Sequence, residues 1–170
     1  MPARRILQLG DPMLREVSCP VASPADARLV LRDLRATLHQ FQRAHGFGRG
    51  ISAVQIGELR RIIYIEFAGA CYGIVNPVFE LQSAGKFRLW DDCFSFPNLL
   101  VRVERSIDVT LRYQDVRGEW HSLGGRGALS ELLQHEMDHL DGILAVDRAV
   151  DRAIDRDSFC TRAEWLRRFA

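Results

Sequence analysis

Leu133-Gln134-His135-Glu136-Met137-Asp138-His139-Leu140-Asp141-Gly142 is the stretch on which the reading of this chain turns. It contains His-Glu-x-x-His. On an α-helix, residues four apart lie on one face, one turn from each other. His135 and His139 can therefore aim two imidazoles at one metal ion. Glu136 projects roughly 100° further round the helix, close enough to meet a water on that metal without being a ligand. Metal-assisted hydrolysis needs this arrangement.

Working outward, Gly124-Gly125-Arg126-Gly127 releases the chain into a helix over 128–140, and Gly142 suits a helix end. Before it, 99–104 and 107–114 read as strands, and Asp115 to Glu119 as the turn of a hairpin between Tyr113 and Trp120. Arg61 to Phe67 is β-branched and aromatic, so it predicts a strand. A second strand runs from Cys71 to Asn76, where Pro77 ends it or confines it to an edge. Residues 78–81 and 86–90 are weaker strands around Ser83-Ala84-Gly85. Further upstream, Ser23-Pro24 predicts an N-cap and first helical position. Val30, Leu34, Leu38 and Phe41 then give helical spacing to about His45. His39 and His45 read as surface or helix-end residues, not ligands. Residues 6–21 read as an extended arm broken by Gly10-Asp11-Pro12 and Pro20. Gly46 to Gly57 is a small-residue loop. It is either a flexible connector or a backbone wall for a substrate, with Gln55 as a fixed amide donor. It lacks the Gly-Lys-Ser/Thr of a phosphate loop. The stretch 151–157 is charge-rich, and 161–169 predicts a short helix capped by Thr161.

The bulk properties are those of an ordinary globular chain. Its 170 residues suit one domain, with 47% hydrophobic and 26% charged residues. A net charge of +1 argues against nucleic acid or a membrane surface as partner. No apolar run has the length of a membrane span, and the first ten residues have no signal-peptide pattern. The chain reads as cytoplasmic. Of the four cysteines, no two form a C-x-x-C pair, so a disulfide framework is not expected.

Two histidines leave a catalytic metal one protein ligand short. The longer pattern H-E-x-x-H-x-x-G-x-x-H fails, because Ala145 stands where the third His belongs. Glu164 has suitable downstream spacing but no motif around it. Cys93 is a soft thiolate candidate upstream.

Three ordered segments then resemble the motifs of the peptide deformylase family. They are Gly48-Arg49-Gly50-Ile51-Ser52-Ala53-Val54-Gln55, Asp92-Cys93-Phe94-Ser95 and Gln134-His135-Glu136-Met137-Asp138-His139. The family reads G-h-G-h-A-A-x-Q, E-G-C-L-S and Q-H-E-h-D-H, with h apolar. The resemblance spans about residues 6 to 150. It implies an α+β fold, with antiparallel β-sheets surrounding a central metal-binding α-helix and a helix near the N-terminus. It also implies one divalent metal on Cys93, His135 and His139, with water in the fourth position. That metal is Fe²⁺ first, with Ni²⁺, Co²⁺ or Zn²⁺ accepted. The implied reaction removes formate from N-formylmethionyl peptides. Glu136 is its proton carrier, and the Gln55 amide and Phe94 backbone N–H are oxyanion donors. Gly48, Arg49, Gly50 and Leu132 fall on the substrate side, Leu132 lining a methionine pocket. Ribosome-associated nascent chains are the implied partner, met by a monomer. The alternatives are an amidohydrolase for another formamide or peptide, and a homologue that keeps metal but not catalysis.

The motifs also depart from the family. Asp91 and Asp92 replace Glu and Gly, Phe94 replaces Leu, and Ser52 replaces the first Ala. Asp91 is expected either to pair with Arg105 or to be a solvated acid. Asp92 is expected to resist a positive φ and to add negative charge beside the metal. Phe94 is expected to reshape the pocket mouth. Arg49 stands where the family has an aliphatic residue, either at the substrate entrance or in solvent.

Overall fold

The computed structural model describes residues 3–150 and 157–169. Its elements are α1 (Ala27–His45), β1 (Gly50–Ser52), β2 (Ile62–Phe67), β3 (Ala70–Gln82), β4 (Lys86–Asp92), β5 (Leu99–Ser106), β6 (Asp108–Gln114), β7 (Trp120–Arg126), α2 (Ala128–Leu140), β8 (Phe159–Thr161) and α3 (Arg162–Phe169). The strands form two antiparallel sheets. One is five-stranded in the order β1-β2-β3-β6-β7; the other is three-stranded in the order β4-β5-β8. Among the described residues, no helix is long and apolar enough to cross a membrane.

α2 lies between the sheets and is buried from Ser130 to Leu140. Leu132, Leu133, Met137 and Leu140 pack on Ile63, Ile65, Ile74, Val109 and Leu111 of the larger sheet. That apolar stripe leaves His135, Glu136, Asp138 and His139 on the remaining faces, all buried. Burying so many polar groups requires partners for each of them. α1 covers β1 and β2 with Val30, Leu34, Leu38 and Phe41, as its spacing predicts.

Several expectations needed correction. The first turn after Ser23 is 3-10, over Pro24–Asp26; Ser23 makes no side-chain cap bond, and α1 starts at Ala27. The expected loop of residues 46–57 contains β1, which pairs with β2, followed by a 3-10 turn, Ala53–Ile56. Pro77 does not end a strand. β3 runs through it with a register shift between Val75 and Val78, and Asn76 takes a φ of 51° there. The Asn76 amide makes this affordable by bonding both Val21 N–H (2.7 Å) and Val21 O (2.9 Å). A bulge is one of the few sheet positions that admit proline. The charge-rich stretch lies mostly outside the described residues.

The extended arm fastens the site loops together. Leu7 N–H donates to Gln55 O and Leu9 N–H to Ser95 O, each at 2.8 Å. Gln8 Nε2 donates to Phe94 O at 3.3 Å. Further along, the arm crosses the end of α2, where Ser18 N–H caps Leu140 O at 2.8 Å. Gly142 has a φ of +70°, and a Cβ there would stand 2.4 Å from Arg15 O.

Candidate metal centre and active site

His135 and His139 lie one turn apart on α2, with their Nε2 atoms 3.2 Å from each other. Cys93 follows β4 and brings its sulfur to 3.3 Å from His139 Nε2. Two imidazole lone pairs and a sulfur facing one point repel unless a cation lies among them. Their spacing suits one: nitrogen ligands at about 2.0–2.1 Å from a tetrahedral ion are about 3.3 Å apart. The donor set of one soft sulfur and two imidazoles fits a divalent transition metal.

The outer partners support the same reading. Asp91 Oδ1 is 2.8 Å from His135 Nδ1. That charge contact favours the proton on Nδ1, which leaves Nε2 bare to ligate. Asp91 Oδ2 accepts from Arg105 Nη2 at 2.9 Å. Arg105 also pairs with Asp138, whose Oδ1 takes Arg148 Nη2 at 2.7 Å. Asp91 is therefore not a solvated acid; it is 1% exposed. Burial pushes its carboxyl up, but the His135 ring and the Arg105 guanidinium outweigh burial and hold its pKa at about 2. Burial likewise keeps His139 well below the usual histidine range, hence neutral. Around the sulfur, Ser95 N–H donates at 3.4 Å and Gln55 Nε2 at 3.7 Å. Gln55 is itself held: its Oε1 accepts Ser52 N–H at 2.9 Å, and its Nε2 reaches Ser95 Oγ at 3.3 Å.

A stability prediction follows from this network. Asp91→Ala leaves His135 Nδ1 without a partner and removes one of Arg105's two carboxylates. The expected loss is about 3 kcal/mol, measured by urea unfolding of chelator-treated protein so that metal linkage does not contribute. Asp91's folded pKa lies below its unfolded value of about 3.9. Its stabilising contribution is therefore complete above pH ~4 and declines as pH falls toward 2. Equal stability of the variant at pH 7 and pH 2.5, relative to wild type, would rule the pairing out.

Glu136 is 2% exposed and receives the Ser52 hydroxyl on Oε2 at 2.6 Å. Burial raises its pKa to about 7, against the lowering effect of His135 and Ser52. A cavity of about 450 Å³ opens above it. Gly48, Arg49, Gly50, Gln55, Phe94, Leu132, His135 and Glu136 line this cavity, together with Phe47, Asp92 and Glu131. Cys93 and His139 sit deeper, both about 1% exposed. Glu164 is elsewhere, on exposed α3, paired with Arg167.

The motif departures have local explanations. Asp92 lies in β4 opposite Leu100, and its φ is not positive, so the expected strain is absent. Its carboxylate pairs with Arg162 at 2.6 Å, which neutralises the charge expected beside the metal. Arg162 also stacks over Phe47 at 3.7 Å. Phe94 stacks on Phe41 with centroids 3.8 Å apart. Its ring fills the space at Gly48, where a Cβ would meet it at 2.5 Å. A Cβ on Gly50 would stand 2.7 Å from Glu136 Oε1. The two glycines thus admit Phe94 and Glu136. Arg49 is at the cavity wall, and its Nη2 is 2.6 Å from Glu131 Oε2. Sequence reasoning missed Ser52, Glu131 and Arg162 as site residues. Two of them carried a signal: Ser52 as a departure inside the first motif, and Glu131 standing four residues before His135 on the same helical face.

The polypeptide deformylase family profile matches residues 3–154. A peptide deformylase from Mesorhizobium japonicum is 34% identical over 154 residues, covering 86% of this chain and 84% of that protein. One from Thermotoga neapolitana is 32% identical over 145 residues, 85% of each. The crystal structure of the Thermotoga maritima peptide deformylase superposes with a TM-score of 0.81 at 28% identity, covering 88% of this chain and 99% of that one. The Synechococcus elongatus enzyme in complex with actinonin gives 0.82 at 30% identity, over 89% and 81%. With motifs, fold and profile in agreement over most of its length, the chain belongs to the polypeptide deformylase family.

Proposed function

We propose that this protein hydrolyses the formamide bond of N-formylmethionyl peptides on newly made chains, releasing formate. The observation that carries this reading is Glu136, buried and held at the floor of an open cavity beside the converging Cys93, His135 and His139. Those three residues would hold the metal, and iron(II) suits their mixed sulfur and nitrogen set. A divalent ion there supplies a Lewis acid and an acidified water.

The chain's own groups do the rest. Glu136 takes the proton from the attacking water. A carboxyl with a pKa of about 7 can both accept a proton and return it near neutral pH. The Gln55 amide, fixed through Oε1 and pointed by Nε2 toward Cys93 and Ser95, is one donor to the developing oxyanion. The Phe94 N–H is the other; among the described residues no protein acceptor takes it. Glu136 then hands the proton to the departing amine as the C–N bond breaks. We place the protein in the cytoplasm, acting as a monomer on nascent chains at the ribosome.

The direct test is formate release from a formyl-Met-Ala-Ser peptide by protein purified without oxygen and loaded with Fe²⁺ or Ni²⁺. Exclusion of oxygen protects the ligating sulfur. Steady turnover is expected. No formate from fully metallated protein would overturn the proposal.

Ser52 holds the base in place. In Ser52→Ala, Glu136 loses its donor to the charged form, which moves its pKa upward. Hydrogen bonds to charged groups contribute about 1.5–3 kcal/mol, so a shift of about one pKa unit is expected and kcat at pH 7 should fall about fivefold. The acid limb of the pH–rate profile should move up by about one pH unit. An unchanged profile would remove Ser52 from the site.

A further inference from the structure

The cavity wall facing the base is charged. Glu131 and His135 are four residues apart on α2, so both project into the cavity from one face. The Glu131 side chain is 6% exposed, and its Oε2 is 2.6 Å from Arg49 Nη2. Arg49 Nη1 donates to Ala128 O at 3.2 Å. Among the described residues, Glu131 Oε1 and Arg49 Nε have no hydrogen-bond partner, and both side chains line the same cavity as Leu132 and Glu136. Arg49 also occupies a motif position where the family carries an aliphatic residue.

Position follows from chain geometry. In the reading proposed above, on which this one rests, the formyl carbon lies at the His135–Gln55 end of the cavity. The γ atom of the first residue is then about 5 Å away, close to the ~5.4 Å of one helical turn. That distance leads from His135 to Glu131. We propose that Arg49 and Glu131 are specificity-determining residues that widen the pocket from methionine, whose sulfur is a weak acceptor, to other first side chains of its length ending in a neutral polar group, such as a carboxamide, at the expense of a plain hydrocarbon. A carboxamide can donate to Glu131 Oε1 and accept from Arg49 Nε. A hydrocarbon strips water from both without replacing it, and unpaired polar groups in a pocket discriminate strongly against the partner that cannot bond them. A charged side chain would compete for one member of the pair.

The experiment compares formyl-glutaminyl, formyl-methionyl and formyl-norleucyl Ala-Ser peptides on the metallated protein. The glutaminyl peptide is expected to match or exceed the norleucyl one in kcat/KM. In Arg49→Met/Glu131→Met, which removes both charges together, the ratio should swing about tenfold or more toward norleucine. Calorimetric binding of the same peptides to the metallated Glu136→Gln protein ranks them independently of turnover. Turnover of none of the three is the failure of the deformylase reading, and the binding order still decides the pocket. Norleucine favoured by more than about tenfold in the charged pocket, in turnover or in binding, overturns the proposal. A ratio unchanged in the double variant does so as well.

Discussion

Glu136→Gln is expected to lower formate release about a thousandfold, within the 10²–10⁴ range of a positioned proton carrier, while leaving the metal bound. The substitution is nearly isosteric. Its amide oxygen can still accept the Ser52 hydroxyl, which lies 2.6 Å from Oε2 and 2.9 Å from the Glu136 carbonyl. What is lost is the site that takes a proton. Elemental analysis should therefore give wild-type metal content alongside near-background turnover. Turnover close to wild type would show that the proton goes elsewhere. Loss of metal would show that Glu136 belongs to the ligand set.

Cys93→Ala is expected to lose metal, with affinity falling by more than about a hundredfold. Loss of an outer partner alone costs 10–100-fold, and a ligand should cost more. The sulfur has little competition for that role. A second cluster, Asp91, Glu131 and His135, also brings its ligand atoms within 4.8 Å of one another. Its carboxylates are already engaged, Asp91 by Arg105 and His135 Nδ1, Glu131 by Arg49. The two clusters share His135; with the proton on Nδ1, facing Asp91, only Nε2 is bare to ligate, and it faces His139. Metal content after gel filtration decides between them. Stoichiometric metal in Cys93→Ala would transfer the site to the carboxylates.

The helix was legible because its chemistry is local. His135 and His139 share a face through a four-residue spacing, and the backbone of α2 delivers that spacing whatever surrounds it. The same holds for α1 and for the β6–β7 hairpin, whose patterns repeat within a few residues. β8 was not legible, since three residues carry no period and its place is set by pairing with β5. Nor was the passage of β3 through Pro77, which depends on Asn76 finding the Val21 backbone 55 residues away.

By itself, the sequence determined the helix that carries His135, Glu136 and His139 and, through three ordered motifs, the family. Tertiary structure alone decided what the departures mean. Asp92 is neutralised by Arg162, 70 positions on, and Arg49 by Glu131, 82 positions on. Ser52 meets Glu136 across 84 positions. Such pairs depend on strand register and on how α2 lies between two sheets. A charge or hydroxyl in the sequence names what a residue can bond, and only the packed fold selects its partner.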